Sequence, residues 1–131
     1  MFGKKAQPPI KSLIAQGSRI DGNLQFTEGL RIDGEVFGNI SATSEEPSIL
    51  VISEQAVVEG EIRADHVIIN GTVRGPVYAF ELLELQPKAN ITKGEVHYRE
   101  LEMHRGAIIS GLLAPLEGDE KPLLKLATKS A

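Results

Sequence analysis

Apolar and polar residues alternate with a period of two through residues 30–42. Leu30, Ile32, Gly34, Val36, Gly38, Ile40 and Ala42 fall on one face of an extended chain, and Arg31, Asp33, Glu35, Phe37, Asn39 and Ser41 on the other. This is the period of a half-buried β-strand, and the same alternation runs through residues 20–42, 56–79 and 107–113, so helical repeats are excluded. Two inward positions are glycines, although glycine in a strand costs about 0.5–1 kcal/mol. A strand that tolerates this is a strand that must bend.

The chain is built from repeats. "IDGEVFGNISA" at 32–42 is echoed by "INGTVRGPVYA" at 69–79, and the phrase apolar-x-Gly-x-apolar returns at 20–24, 32–36, 58–62, 69–73 and 109–113. "ITKGEV" at 91–96 is a copy with one extra residue. Hairpins do not fit, because the apolar register continues unbroken past each Asp-Gly or Asn-Gly. The arrangement left is a β-helix, with glycine at its corners, stacked Ile, Val and Leu inside, and charged residues in water. Two rungs across the repeat offset give about 18 residues per rung in three sides, hence five or six rungs and a rod roughly 25–30 Å long. The sequence therefore predicts an all-β, single-domain, three-sided solenoid over residues 13–114. Flexible tails are expected at 1–12 and 115–131, and residues 43–49, with Pro47, form a loop bulging from one corner.

Composition removes other classes. The chain has 131 residues, no Cys, no Trp and a net charge of −4, so disulfides do not hold it together, and its interspersed charges disfavour a nucleic-acid surface. No stretch has the length of a transmembrane helix and the start lacks a secretory h-region, which reads as intracellular. His66, His97 and His104 look scattered, without metal-ligand spacing, and neither a Gly-x-Ser-x-Gly elbow nor a phosphate loop is present. No cofactor, metal site or enzymatic activity is expected. Asp21, Asp33 and Glu59 occupy equivalent places in the phrase and suggest a solvated acidic ladder. Two other classes of protein share part of this pattern. A trimeric hexapeptide-type acyltransferase would use His66 as base, but the spacing here drifts between five and seven residues. A monomeric binding module would use an outer face carrying Phe37, Arg74 and Tyr78. Leu123, Leu124 and Leu126, among lysines in the late tail, suggest at most a partner peptide or a weak membrane contact.

The phrases "LRIDGEVFGNI" and "VIINGTVRGPV", the opening "IAQGSRIDGNL" and the late "LELQPKANITKGEVHYRELEMHRGAIISGLL" together resemble the bactofilins, bacterial polymer-forming cytoskeletal proteins. The resemblance covers residues 14–113. It implies a right-handed β-helix that polymerises with itself, without nucleotide, into apolar filaments. It also implies a place on the inner face of the cytoplasmic membrane and a scaffold role for cell-wall enzymes, polar proteins or shape-determining machinery. "MFGKK" is similar to the membrane-targeting start of many bactofilins, which assigns that role to Met1, Phe2, Lys4 and Lys5. One Phe and two Lys bind an anionic surface weakly, and a polymer multiplies the effect.

Self-assembly also has a physical reason. A β-helix leaves unpaired N–H and C=O groups and an open apolar core at its first and last rungs, and monomeric solenoids usually cap them. "GAIISGLLAPL" stays apolar to the last repeat with no cap, while "IKSLIAQGS" reads either as a first rung or as a one-turn helix. Leu13, Ile14 and Ile20 are thus expected near one self-contact, and Ile108, Ile109, Leu112 and Leu113 near the other.

Overall fold

Each apolar-x-Gly-x-apolar phrase turns out to be a corner. The computed structural model of the protein describes residues 8–43 and 45–117, and over them the chain winds as a solenoid of parallel strands, three to a rung. The first rung is β1 (Ser12–Ile14), β2 (Arg19–Asp21) and β3 (Leu24–Phe26); the second is β4 (Gly29–Ile32), β5 (Glu35–Phe37) and β6 (Ile40–Ala42). The third uses β7 (Ile49–Ile52), β8 (Val57–Glu59) and the first half of β9 (Ile62–Ile69). The second half of β9, β10 (Thr72–Arg74) and the start of β11 (Val77–Leu85) make the fourth. The fifth takes the rest of β11, β12 (Asn90–Lys93) and the start of β13 (Glu95–Met103); β13 then leads into β14 (Ile108–Ile109) and β15 (Leu112–Pro115) of the last. "IKSLIAQGS" is therefore a first rung and not a helix.

Three stacks of strands form the sides. Side one is β1, β4, β7 and the later halves of β9, β11 and β13; side two is β2, β5, β8, β10, β12 and β14; side three is β3, β6, the earlier halves of β9, β11 and β13, and β15. Ile32 pairs with Ile52 and Ile52 with Ile69, so the offset of the sequence repeat does span two rungs. Rungs are not uniform in length. The one from Val36 to Val58 carries the loop, and the one from Ile20 to Val36 does not. The extra residue of "ITKGEV" is absorbed as an irregularity in the register of β10 with β12, where Val73 faces Ile91 but Arg74 faces Lys93.

Glycine is dictated by the approach of successive rungs at the corner between sides two and three. A Cβ on Gly38 would run into the carbonyl oxygen of Gly22, one on Gly60 into that of Gly38, and one on Gly75 into that of Gly60. No side chain fits there, so the glycines stack. Beside them the Asn39 backbone N–H donates to Asn23 Oδ1 and the Glu61 N–H to Asn39 Oδ1, both at 2.9 Å, which satisfies corner amides from rung to rung.

Inside, the alternation of the sequence becomes columns. Ile40, Ile62, Val77 and Val96 stack on side three, and Val36, Val58, Val73 and Ile91 on side two, all shut off from solvent. Each such side chain contributes about 1.5–3 kcal/mol through burial.

Two expectations are corrected here. The loop ends at residue 48, because Ile49 already belongs to β7, pairs with Gly29 and His66, and is buried. Its return is fastened by a buried pair: the Ser48 N–H and Oγ donate to Asp65 Oδ2 at 3.0 and 3.1 Å, and the Asp65 N–H donates to Ser48 Oγ at 3.0 Å. The acidic ladder does not form either. Asp21 and Glu59 lie on side two with Phe37 between them, whereas Asp33 sits at the corner after side one. The phrase "IDG" marks two different corners, and each acid pairs with its own arginine: Asp21 with Arg19 at 3.1 Å, Asp33 with Arg31 at 2.9 Å and Glu59 with Arg74 at 4.0 Å.

Candidate functional site: the open ends

Interior rungs have a neighbour above and below, and the end rungs have one neighbour only. On side three the inward column is sealed through Val96 at 0% exposure, yet Leu113, in register with it, is 46% exposed. Ile109 continues the column of Ile91 and is half-buried, and Met103 at the end of β13 is exposed. Ile108 and Leu112 belong to the same rung but stand in the outward register of Asn90 and Glu95, with 54% and 67% exposed. The last rung thus presents apolar surface along its axis, through Ile109 and Leu113, and around its rim, through Ile108 and Leu112.

At the other end, Ile14 pairs with Ile32 and Ile20 with Val36, so both top the core and are half-buried. Leu13 is in register with Arg31 and points outward. Ahead of β1 the Lys11 N–H donates to the Gly29 carbonyl at 3.0 Å, Lys11 pairs with Glu28 at 3.1 Å, and Pro9 lies against Gly29. Pro8 and Pro9 offer no N–H to a further strand, which blunts this edge on side one. Met1, Phe2, Lys4 and Lys5, like Leu123, Leu124 and Leu126, lie outside the described residues.

The outer faces are ordered by stacking. Arg63 lies 4.2 Å from the Tyr78 ring centroid, and Tyr78 stacks on His97 with centroids 4.5 Å apart and planes 3° from parallel. Arg19 covers Phe37 at 4.2 Å. Phe37 and Tyr78 do face outward, but each is covered by a cation from the adjacent rung. At Asp33, a hydrogen bond from Ser53 and one from Arg31 hold the carboxyl below the usual carboxylate range, against the opposing effect of partial burial.

The histidines are not scattered as expected. His66 and His104 come to opposite oxygens of Glu84, and His104 also approaches Glu102. His97 stands apart on side three with Glu95 at 2.9 Å. The signal in the sequence was the rung itself, since residues 66, 84 and 102 recur at the predicted rung length.

The whole strand-bearing region is also what known proteins share with this one. A family model for the bactofilins, described as polymer-forming cytoskeletal proteins, matches residues 12–114. The chain belongs to the bactofilin family. No curated protein and no solved structure matches it significantly. A bactofilin is a cytoskeletal protein, and the family is a structural, polymer-forming one. Among the described residues no helix is long and apolar enough to cross a membrane. The chemistry on offer lies at the ends of the solenoid, where strand edges are unpaired and the apolar column is open.

Proposed function

We propose that this bactofilin stacks end to end, as a right-handed solenoid and without nucleotide, into apolar filaments that serve as a membrane-associated scaffold. The observation that carries the reading is the break in the side-three column, where exposure jumps from 0% at Val96 to 46% at Leu113. A second copy seated on that rung would pair the free strand edges and continue the core, burying Ile109 and Leu113 as their counterparts in interior rungs are buried. Each subunit would add further such contacts, so the assembly grows as a rod.

Membrane attachment belongs to the start of the chain, through Phe2 at the headgroup boundary and Lys4 and Lys5 on anionic lipid. Weak single tails become firm anchors when a filament presents many of them. Bound cell-wall enzymes or polar proteins are the clients that such a scaffold would organise.

Negative-stain electron microscopy of the purified full chain, without nucleotide or metal, tests the assembly. Thin filaments are the expected result, and a single slow monomer at all concentrations would contradict it. For the membrane, filaments of the wild type should sediment with anionic liposomes and those of Phe2→Glu should not; equal sedimentation would refute the assignment.

A further inference from the structure

Glu84 and Glu102 are in register on neighbouring strands of side one, so two carboxylates stand directly opposite each other on the outer surface. Like charges so placed are destabilising. The lysine and arginine ion pairs at Glu28, Asp21, Asp33, Glu61, Glu59 and Glu54 lie elsewhere on the solenoid and include neither Glu84 nor Glu102. What faces these two carboxylates is imidazole, together with the Gln86 side-chain amide, which donates to Glu84 Oε2 at 2.5 Å. His104 Nε2 lies 3.6 Å from Glu102 Oε2 and 3.8 Å from Glu84 Oε2, and His66 Nε2 lies 3.8 Å from Glu84 Oε1.

These separations are too long for hydrogen bonds. They are close to those between atoms that share one cation, because ligands bound tetrahedrally at about 2.0–2.2 Å lie roughly 3.3–3.6 Å from each other. One ligand atom from each of Glu84, Glu102 and His104 falls within 4.8 Å of the others. The imidazole distinguishes this cluster from an ordinary acidic patch. Calcium and magnesium take oxygen ligands, whereas one imidazole with two carboxylates suits zinc or a neighbouring divalent transition metal.

We infer that Glu84, Glu102 and His104 form a divalent transition-metal site of the zinc class, which ties the last rung to the one before it. Gln86, whose amide donates to Glu84 Oε2, orients that carboxylate from its own rung, and the His66 ring lies beside its other oxygen. The last rung has a neighbour on one side only, so an ion here fastens the strand whose open edge is the C-terminal end of the rod. The site stands on this geometry and does not depend on filament formation.

The test is calorimetric titration of zinc chloride into metal-stripped full-length protein, for the wild type and the variants His104→Ala, Glu102→Gln and His97→Ala. One zinc per chain should bind saturably, at least tenfold more weakly in His104→Ala and Glu102→Gln and unchanged in His97→Ala. Absence of saturable binding, or binding that His104→Ala leaves intact, would overturn the inference, as would an equal preference for calcium. If either variant fails to fold, the imidazole resonances of the wild type decide. Zinc must shift those of His104, and a shift confined to His97 would overturn the site.

Discussion

Rungs two to five and the two end rungs are written in the same alphabet but carry different burdens. In the interior, each position is fixed from both sides: Ile62 lies between Ile40 and Val77, and Gly60 lies between Gly38 and Gly75. At the ends the same residue types meet nothing on one side. A Cβ on Gly22 in the first rung has no heavy atom within 4 Å, whereas one on Gly60 collides with a backbone carbonyl. Identical patterning therefore yields buried side chains inside and exposed ones at the ends, and the distinction is one of position along the rod.

The comparison can be pressed hardest at the glycines. Gly60→Ala should cost about 4 kcal/mol or more, since backbone must move in two rungs. Gly22→Ala, also at positive φ but in open space, should cost only the conformational strain of about 1–2 kcal/mol. Urea unfolding of the two variants gives the difference directly, and equal losses would mean that rung stacking is not what selects glycine.

Next come the core columns. Ile62→Ala should lose about 3–4 kcal/mol, and Leu113→Ala about 1 kcal/mol because its side chain is half in water already. The order reverses if filament formation is measured instead, with Leu113 the more sensitive. Asp65→Ala should cost about 2 kcal/mol by leaving the Ser48 N–H and hydroxyl without their buried acceptor, read from thermal melts beside those of Glu45→Ala in the exposed loop.

The smallest effect concerns pH. Asp33 has a carboxyl pKa below its unfolded value, so its contribution is complete above the ordinary carboxylate range and is lost as pH falls through the lower folded value. Asp33→Asn should flatten that part of the acid dependence, and urea midpoints at pH 6 and about pH 3 for both proteins would show it.

Much of this was legible in the residues. The period of two, the glycine phrase and the paired repeats implied a three-sided solenoid with Ile32 and Ile69 two rungs apart, and the structure puts Ile52 between them. The acidic ladder failed for a physical reason: a three-sided coil has more than one kind of corner, and "IDG" suits both, so identical words landed on different sides. The Glu84–Glu102–His104 cluster has no local signature, because rung spacing and not neighbouring position brings its members together. Ser48 and Asp65 could not be paired from sequence, since Ser48 closes the irregular loop, where the alternation that made the rest readable does not run.

The central claim is that the exposed axial column of the last rung drives assembly. Velocity sedimentation of Leu113→Glu beside Ile68→Glu, an outward side-one change in a middle rung, addresses it most directly, with circular dichroism confirming that both retain β structure. The account predicts that Leu113→Glu reduces the protein to small species while Ile68→Glu still sediments as filaments. Filaments from a folded Leu113→Glu protein would contradict it.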